Sequence, residues 1–523
     1  MRGVRPVTPR SWLTPKLEYK WLVAIVFIFG LFMDMVDTTV INVAVPQLTR
    51  DFNATTSQVE WTVTGYLLSL ALFIPAAGYL SDRFGTKRMF LLAIAIFVAA
   101  SALCGQAHSL KELIAFRFLQ GMGGGMMTPV GTAMLSREFP GAERAKASAI
   151  MSIPLVLAPL IGPVVGGYFV TYVTWRWIFY LNLPIGLVGF VFALRVLKEH
   201  REPYAREGFD FVGLVTGGAG AALLLFALAE AASAGWTAGR VLASGAAGVL
   251  LGAVFVFQEL RAKPPIIDVR LFSRPLFTQG NLIMLPAFAM FSGFLFILTL
   301  YLQELQGWSP LQAGLITAPA ALGAAISLPL ASHYYGRIGP KKMLVGGTVF
   351  SLLSVFPFGF LTATTPLAIV ILLLCVRRLP FSFASVAAQT VIYGPLESEK
   401  QGAASSAYNT IRQVAASLGV AAVATVQLRE FHSYVTSTTA SQHLATPTAA
   451  ILREGAQRGY QLAFFSCALI MLIPVVVSLF VNDEEAAETL ARRNPVRSPE
   501  TAPAPVPVVE LPRQVEGVGG RQS

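Results

Sequence analysis

The stretch LLAIAIFVAASALC, residues 91 to 104, carries no charge and has no polar side for a helix to turn toward water. Such a run is stable only where lipid or other protein surrounds it. Similar runs recur along most of the chain, which is 54% hydrophobic and only 13% charged, a membrane composition. Each run is long enough to cross the hydrocarbon as a helix. The expectation is therefore an all-α membrane protein.

Fourteen candidate spans lie between residues 21 and 481. The charged segment LKEHREPYAREGFD (197 to 210) and the segment containing RAKPPIIDVR divide them into six, two and six. The predicted organisation is a basic cytoplasmic N-terminus (1–20), a first six-helix bundle (21–197), a linker with two extra transmembrane helices (198–277), a second six-helix bundle (278–481) and a disordered, Pro-rich cytoplasmic tail (482–523). Lys and Arg gather in alternate connections, which places both termini in the cytoplasm of a multi-pass plasma-membrane protein. The first apolar stretch is longer than a signal-peptide core and lacks a cleavage site, so it reads as an uncleaved span. The net charge of +11 follows from this topology. Nucleic acid is not an expected partner, because no continuous basic face interleaved with aromatics appears.

An internal repeat supports two related halves. PAAGYLSDRFGTKRM (75 to 89) aligns without gaps on PLASHYYGRIGPKKM (329 to 343). Transporters built from such repeats bind their cargo between the halves near mid-membrane.

Several residues resist the membrane setting and are the candidate site. Asp34 and Asp37 sit about 20 Å or more along the first helix, close to mid-membrane, and their i, i+3 spacing puts them on one face. A carboxylate there costs on the order of 2.5–3.5 kcal/mol unless it meets water or a partner. Two of them one turn apart cannot both ionise cheaply, so the pair is expected to share a proton. A structural bond to a neighbouring helix is the plainer alternative. Arg117, in RFLQGMGGGMMTP, needs a partner for the same reason, and an inward-facing carboxylate is the natural one. The Gly-rich run beside it fails the phosphate-loop pattern and reads as helix packing.

In GYLSDRFGTKR (78 to 88), Gly78 is expected to allow close helix contact and Gly85 a tight turn. Asp82, Arg83 and Arg88 complete a candidate gate. In PLIGPVVGGYF (159 to 169), Gly162 and Gly166 form G-x-x-x-G, and Pro163 with Gly167 adds a candidate hinge, with tight packing the alternative. Arg377, Arg378 and Arg412 are candidate sites in the second half. Arg377 and Arg378 lie about 100° apart on a helix and are not expected to reach one spot. Cys104, Cys375 and Cys467 each lie in an apolar run, so neither a disulfide framework nor a metal site is expected.

Together these motifs resemble the major facilitator superfamily, in particular its fourteen-span drug:proton antiporter branch. The carriers are DTTVINVAVP (37 to 46), GYLSDRFGTKR, RFLQGMGGG, GPVVGG (162 to 167), WRWIFYLNLPIG (175 to 186), YLQELQGWSPLQAGL (301 to 315) and GAASSAYNTIRQVAASLGVA (402 to 421). The resemblance implies two six-helix transporter bundles with two additional helices between them, and alternating access driven by proton entry. By position it makes Asp37 the first-helix acid, Asp82 and Arg83 part of the gate, and Arg117 the proton-relay arginine. Asp34 is extra to the pattern, Gly336 replaces an acid, and CVRRLPFSFAS (375 to 385) replaces a Gly-rich span.

The expected function is proton-coupled efflux of lipophilic compounds, cationic ones included, with no catalytic role, cofactor, nucleotide or metal. Membrane lipid, protons and the small cargo are the partners, and the sequence neither requires nor excludes a periplasmic adaptor. The alternative is a dedicated exporter of one endogenous metabolite such as an antibiotic, siderophore or organic anion, for which Arg377 and Arg378 are suited.

Overall fold

The computed structural model describes residues 18–139, 144–201, 209–263, 265–393, 396, 398–444, 446–482 and 485. Most of the expected N-terminal segment and tail, and part of the connection at 202–208, lie outside these residues.

Helices account for nearly all of the described chain, and no strand forms among the described residues. The first half contains α1 (Tyr19–Asp51), α2 (Thr56–Phe84), α3 (Thr86–Gln106), α4 (Leu110–Glu138), α5 (Arg144–Tyr172) and the broken pair α6 (Trp177–Tyr180) and α7 (Asn182–Val196). Next come α8 (Phe211–Ala234) and α9 (Gly239–Arg261). The rest is α10 (Pro275–Leu300), which runs on through a π turn to Leu305, then α11 (Pro310–Thr317) with α12 (Pro319–Ile338), α13 (Pro340–Val355), α14 (Leu367–Tyr393), α15 (Ser398–Ser441), and α16 (Ala449–Ile470) with α17 (Leu472–Leu479).

Among the described residues, 12 helices are long and apolar enough to cross a membrane. The two others expected from the sequence are α4 and α5. Arg117 and the run of glycines dilute the apolar character of α4, and α5 contributes the shorter apolar stretch Leu157–Tyr172.

Local sequence explains where helices begin. Thr55 and Gln58 form a reciprocal capping box at the start of α2, and Ser309 and Gln312 form another at α11, each satisfying two backbone donors that a helix start leaves open. Ser109 caps α4, with its hydroxyl accepting from the Glu112 N–H at 3.2 Å.

The sequence repeat reappears in the backbone. Gly85, between α2 and α3, has φ +99°, and Gly339, between α12 and α13, has φ +85°. Both turns need a conformation that a side chain resists. Pro75 and Pro329 likewise occupy the interiors of α2 and α12.

Glycines on α4 draw the first half together. A Cβ on Gly121 would meet the Tyr66 carbonyl of α2 at 2.6 Å, and one on Gly123 would meet the Ala93 carbonyl of α3 at 2.7 Å. The expectation of small residues for helix packing holds here. Helices α8 and α9 pack on each other, and α8 also lies against α2 and α15.

Contacts between the two sets of helices gather at the end of the bundle that carries the α1–α2 connection. Gln303 donates to the Val43 carbonyl at 3.1 Å, Ser417 to the Thr64 carbonyl at 3.2 Å, and the Leu311 N–H to the Thr171 hydroxyl at 3.2 Å.

Candidate functional site

The polar residues expected to need partners find them inside the first half. Asp37, on α1, is 2% exposed, and Arg117, on α4, is fully buried. Arg117 Nη1 donates to Asp37 Oδ2, forming an ion pair. The other carboxylate oxygen, Oδ1, accepts from Gln120 Nε2 at 2.8 Å and from Asn182 Nδ2 at 3.1 Å. Both amides also donate to the Ser101 hydroxyl, at 3.2 and 3.1 Å, and that hydroxyl donates to the Phe179 carbonyl at 2.8 Å. Arg117 is further held by the Thr62 carbonyl at 2.9 Å and by the Gln120 side-chain oxygen at 2.8 Å.

Thus α1, α2, α3, α4, α6 and α7 all contribute to one buried cluster. A buried pair is tolerated when its remaining hydrogen-bonding capacity is met, and here it nearly is. Arg117 Nη2 alone has no hydrogen-bond partner.

Asp34 is linked to this cluster but separate from it. Its Oδ1 accepts from the Tyr66 hydroxyl at 2.6 Å, and the Tyr66 ring lies beneath the Arg117 guanidinium, 4.0 Å from its carbon. The two carboxylates divide their partners: Asp37 takes the arginine and the amides, Asp34 the phenol. Arg412, on α15, is near enough to attract Asp34 electrostatically.

The candidate gate divides differently from expectation. Gly85 does form the tight turn, and the N–H groups of Lys87 and Arg88 that follow it donate to the Glu199 carboxylate at 3.0 and 3.3 Å. Glu199 therefore covers the N-terminus of α3. Arg88 Nε also lies 3.6 Å from that carboxylate, and Arg83 turns back to the Tyr79 hydroxyl of its own helix at 3.0 Å. Gly78 corrects the reading, because a Cβ there would meet nothing within 4 Å. It lies on an open face of α2 rather than in a helix contact.

The glycines of α5 are packed. A Cβ on Gly166 would meet Val40 of α1 at 3.1 Å, and one on Gly167 would meet the Pro310 carbonyl at 2.5 Å. Gly162 faces Thr39, and Gly314 of α11 sits on the Pro163 carbonyl. The helix continues unbroken through all four motif residues.

In the second half the three arginines share one feature. Phe288, Phe291 and Phe294 follow at i, i+3 and i+6 on α10, and each lies under a guanidinium. Arg412 is 5.4 Å from the Phe288 ring centre, Arg378 4.8 Å from Phe291, and Arg377 3.6 Å from Phe294. Arg377 also lies 5.6 Å from Phe291. Two adjacent arginines thus do reach one ring, because long flexible stems overcome their 100° separation. Among the described residues no carboxylate forms an ion pair with any of the three.

Reasoning from sequence missed Gln120, Asn182, Ser101 and Tyr66. Gln120 had a signal, standing one turn from Arg117, and Asn182 is the lone polar residue in IFYLNLPIG. It also passed over Glu60, 2% exposed within α2, and Glu304, which accepts from the Tyr460 hydroxyl at 2.6 Å. The aromatic ladder was legible only as spacing. A cleft of 520 Å³ between α12, α13 and α14 is lined by Phe350, Leu353, Val376 and Leu379 and lies away from both polar groups. Those four residues are exposed, so the cleft faces outward from the bundle. Among the described residues no group of three or more His, Cys, Asp or Glu could hold a metal ion.

Comparison with known proteins gives a consistent set of relatives. A family model described as Major Facilitator Superfamily matches residues 27–420. The chain is 36% identical over 439 residues to a multidrug resistance protein B homolog of Mycobacterium tuberculosis, covering 82% of this chain and 79% of the relative. It is 31% identical over 414 residues to a tetracenomycin C resistance and export protein of Streptomyces glaucescens, covering 79% and 76%. Among solved structures, a bacterial homolog of the human lysosomal transporter Spinster, inward-facing and unoccupied, superposes with TM-score 0.63 at 15% identity, covering 91% of this chain and 99% of that one. A D-xylose-proton symporter superposes with TM-score 0.60 at 16% identity, covering 89% and 99%. At such identities the structural likeness concerns the fold.

Proposed function

Because this chain belongs to the Major Facilitator Superfamily, and is a multi-pass membrane transporter rather than an enzyme, we propose that it exports lipophilic toxic compounds from the cell in exchange for protons. The observation that carries this reading is the buried Asp37–Arg117 pair, with Asp34 one turn away. A carboxylate released from an arginine by a proton is a device for converting proton entry into helix movement. One proton entering down 100 mV releases roughly 2.3 kcal/mol. The names of the relatives, multidrug resistance and antibiotic export, support the choice of cargo.

In this scheme a proton on Asp37 frees Arg117, while Asp34 exchanges between Tyr66 and Arg412 on the opposite half. The two sets of helices are a first bundle, 21–197, and a second, 278–481, with the segment 198–277 between them. They rock about the packed contact of α5 with α1 and α11, at Gly162, Pro163, Gly166 and Gly167. The segment from Gly78 to Arg88, with Asp82, closes the opposite end. With both termini cytoplasmic, the end now held together is external, which makes this the inward-open arrangement of a plasma-membrane protein.

The test is proton release from inverted, acid-interior vesicles on adding a panel of lipophilic compounds, for wild type and Asp37→Asn. Release triggered by cargo and lost in the variant is expected. If no compound releases protons from wild-type vesicles, proton-coupled export is wrong for this chain.

A further inference from the structure

In the second half Arg377, Arg378 and Arg412 lie together on aromatic rings, and among the described residues no carboxylate pairs with them. Arg377 is 7% exposed, so it is more than nine-tenths buried, and its Nε has no hydrogen-bond partner; the Nε of Arg378 has none either. The one polar contact of Arg377 is from Nη2 to the Met290 sulfur at 4.0 Å, which is weak. Aromatic faces attract a guanidinium but accept no strong hydrogen bond, so both side chains keep unused donors. Placing two like charges beside one ring also adds repulsion that an anion would remove.

Aromatic rings surround these donors. Phe381 stacks on Phe291 with ring centres 5.4 Å apart, and Phe288, Tyr408 and Tyr393 continue the aromatic wall. Arg378 and Arg412 are half-buried, so a ligand reaches them first, while Arg377 closes the inner end. Arginine's planar fork suits a carboxylate or another oxyanion.

We propose that Arg377 and Arg378, floored by Phe291 and Phe294, form a subsite for the acidic group of an aromatic anion. The rings of such a ligand lie along the wall that continues through Phe381 and Phe288. Arg412, at the mouth, steers the anion inward. This deepens the efflux reading and rests on it only for the statement that the anion is cargo.

The test uses two probes of one shape and opposite charge, 2-naphthoate and 2-naphthylmethylammonium. Equilibrium binding to the detergent-solubilised full chain is measured by calorimetry for wild type, Arg378→Gln, Arg377→Gln and Arg377→Lys. Naphthoate should bind wild type at least 10-fold tighter than the ammonium probe. Each Gln variant should weaken naphthoate at least 10-fold without tightening the ammonium probe more than 3-fold, and Arg377→Lys should recover part of the loss. Arg378→Gln, at the more accessible position, keeps the test decisive if Arg377→Gln fails to fold. Equal binding of the probes, preference for the ammonium, undetectable naphthoate binding to wild type, or unchanged binding in Arg378→Gln would each overturn the assignment. Flux in inverted vesicles separates the two readings. Pumping of the ammonium probe without naphthoate binding leaves export standing and removes the subsite. Naphthoate binding through both arginines with neither probe pumped leaves the subsite standing and removes the statement that the anion is cargo.

Discussion

The two halves descend from one pattern, visible in the matched turns at Gly85 and Gly339, yet they treat buried charge in opposite ways. In the first half Arg117 meets Asp37, and a set of amides and hydroxyls occupies the remaining positions. In the second, Arg377, Arg378 and Arg412 rest on phenylalanine faces, and no carboxylate among the described residues pairs with them. In the proposed cycle the neutralised cluster holds its charge until a proton disturbs it. An unneutralised one is ready for a charge that arrives from outside.

The strongest way to break this comparison is to delete one arginine from each half. Arg117→Met leaves Asp37 buried without its counter-ion and should cost about 3–5 kcal/mol of stability; thermal unfolding in detergent should show a large loss, together with absent transport. Arg377→Met removes a cation that has no partner. Apolar replacement of buried charge is often neutral or stabilising, so its melting temperature should stay near or above that of wild type while naphthoate binding is lost. Equal destabilisation by the two substitutions would erase the proposed difference between the halves.

A smaller contrast lies in the matched turns. Gly339→Ala meets no atom within 4 Å and should cost only the strain of its backbone, on the order of 1–3 kcal/mol. Gly85→Ala carries the same strain and also drives a methyl into the Glu199 carboxylate that covers α3, so it should melt below Gly339→Ala. The reverse order in unfolding experiments would mean that Glu199 moves aside freely.

Asp34→Asn sharpens the division within the first half. Tyr66 can still donate to the amide oxygen, so the stability change should stay within about 1 kcal/mol, while proton release triggered by cargo falls at least 10-fold. Full retention of release would leave Asp37 as the sole proton carrier. The smallest effect is expected for Gly78→Ala, whose added methyl meets nothing. Helix propensity alone favours alanine there, so a loss of stability beyond about 0.5 kcal/mol, measured by thermal unfolding, would require a clash that the structure lacks.

Much of this architecture was legible in the chain. Long apolar runs specify helices because lipid leaves the backbone no other way to satisfy itself, and the gapless repeat at 75 to 89 and 329 to 343 announced two related halves. Charges stranded in apolar runs pointed to Asp34, Asp37, Arg117 and the second-half arginines. Their partners were harder to read. That Asp37 rather than Asp34 meets Arg117 depends on how far α1 is rotated against α4, and a pair spaced i, i+3 does not reveal that. Gln120 and Asn182 escaped notice because a neutral amide in an apolar run is a weaker signal than a charge, and its meaning appears only when a carboxylate is placed beside it. Gly78 misled for the opposite reason, since a glycine permits close approach without requiring it. Arg377 and Arg378 looked incompatible by angle alone, and the reach of their stems decided the matter.

That no carboxylate among the described residues pairs with these arginines also bears on the proposed cycle. A carrier that sends out a cation while one proton enters moves no net charge, and membrane voltage is indifferent to it. If the arginines of α14 take an anion, each cargo ion leaving and each proton entering push current in the same direction. Two unit charges then cross per cycle, roughly 4.6 kcal/mol for every 100 mV, so two arginines stacked on phenylalanines would make the proposed exchange electrogenic, driven by voltage as much as by acidity.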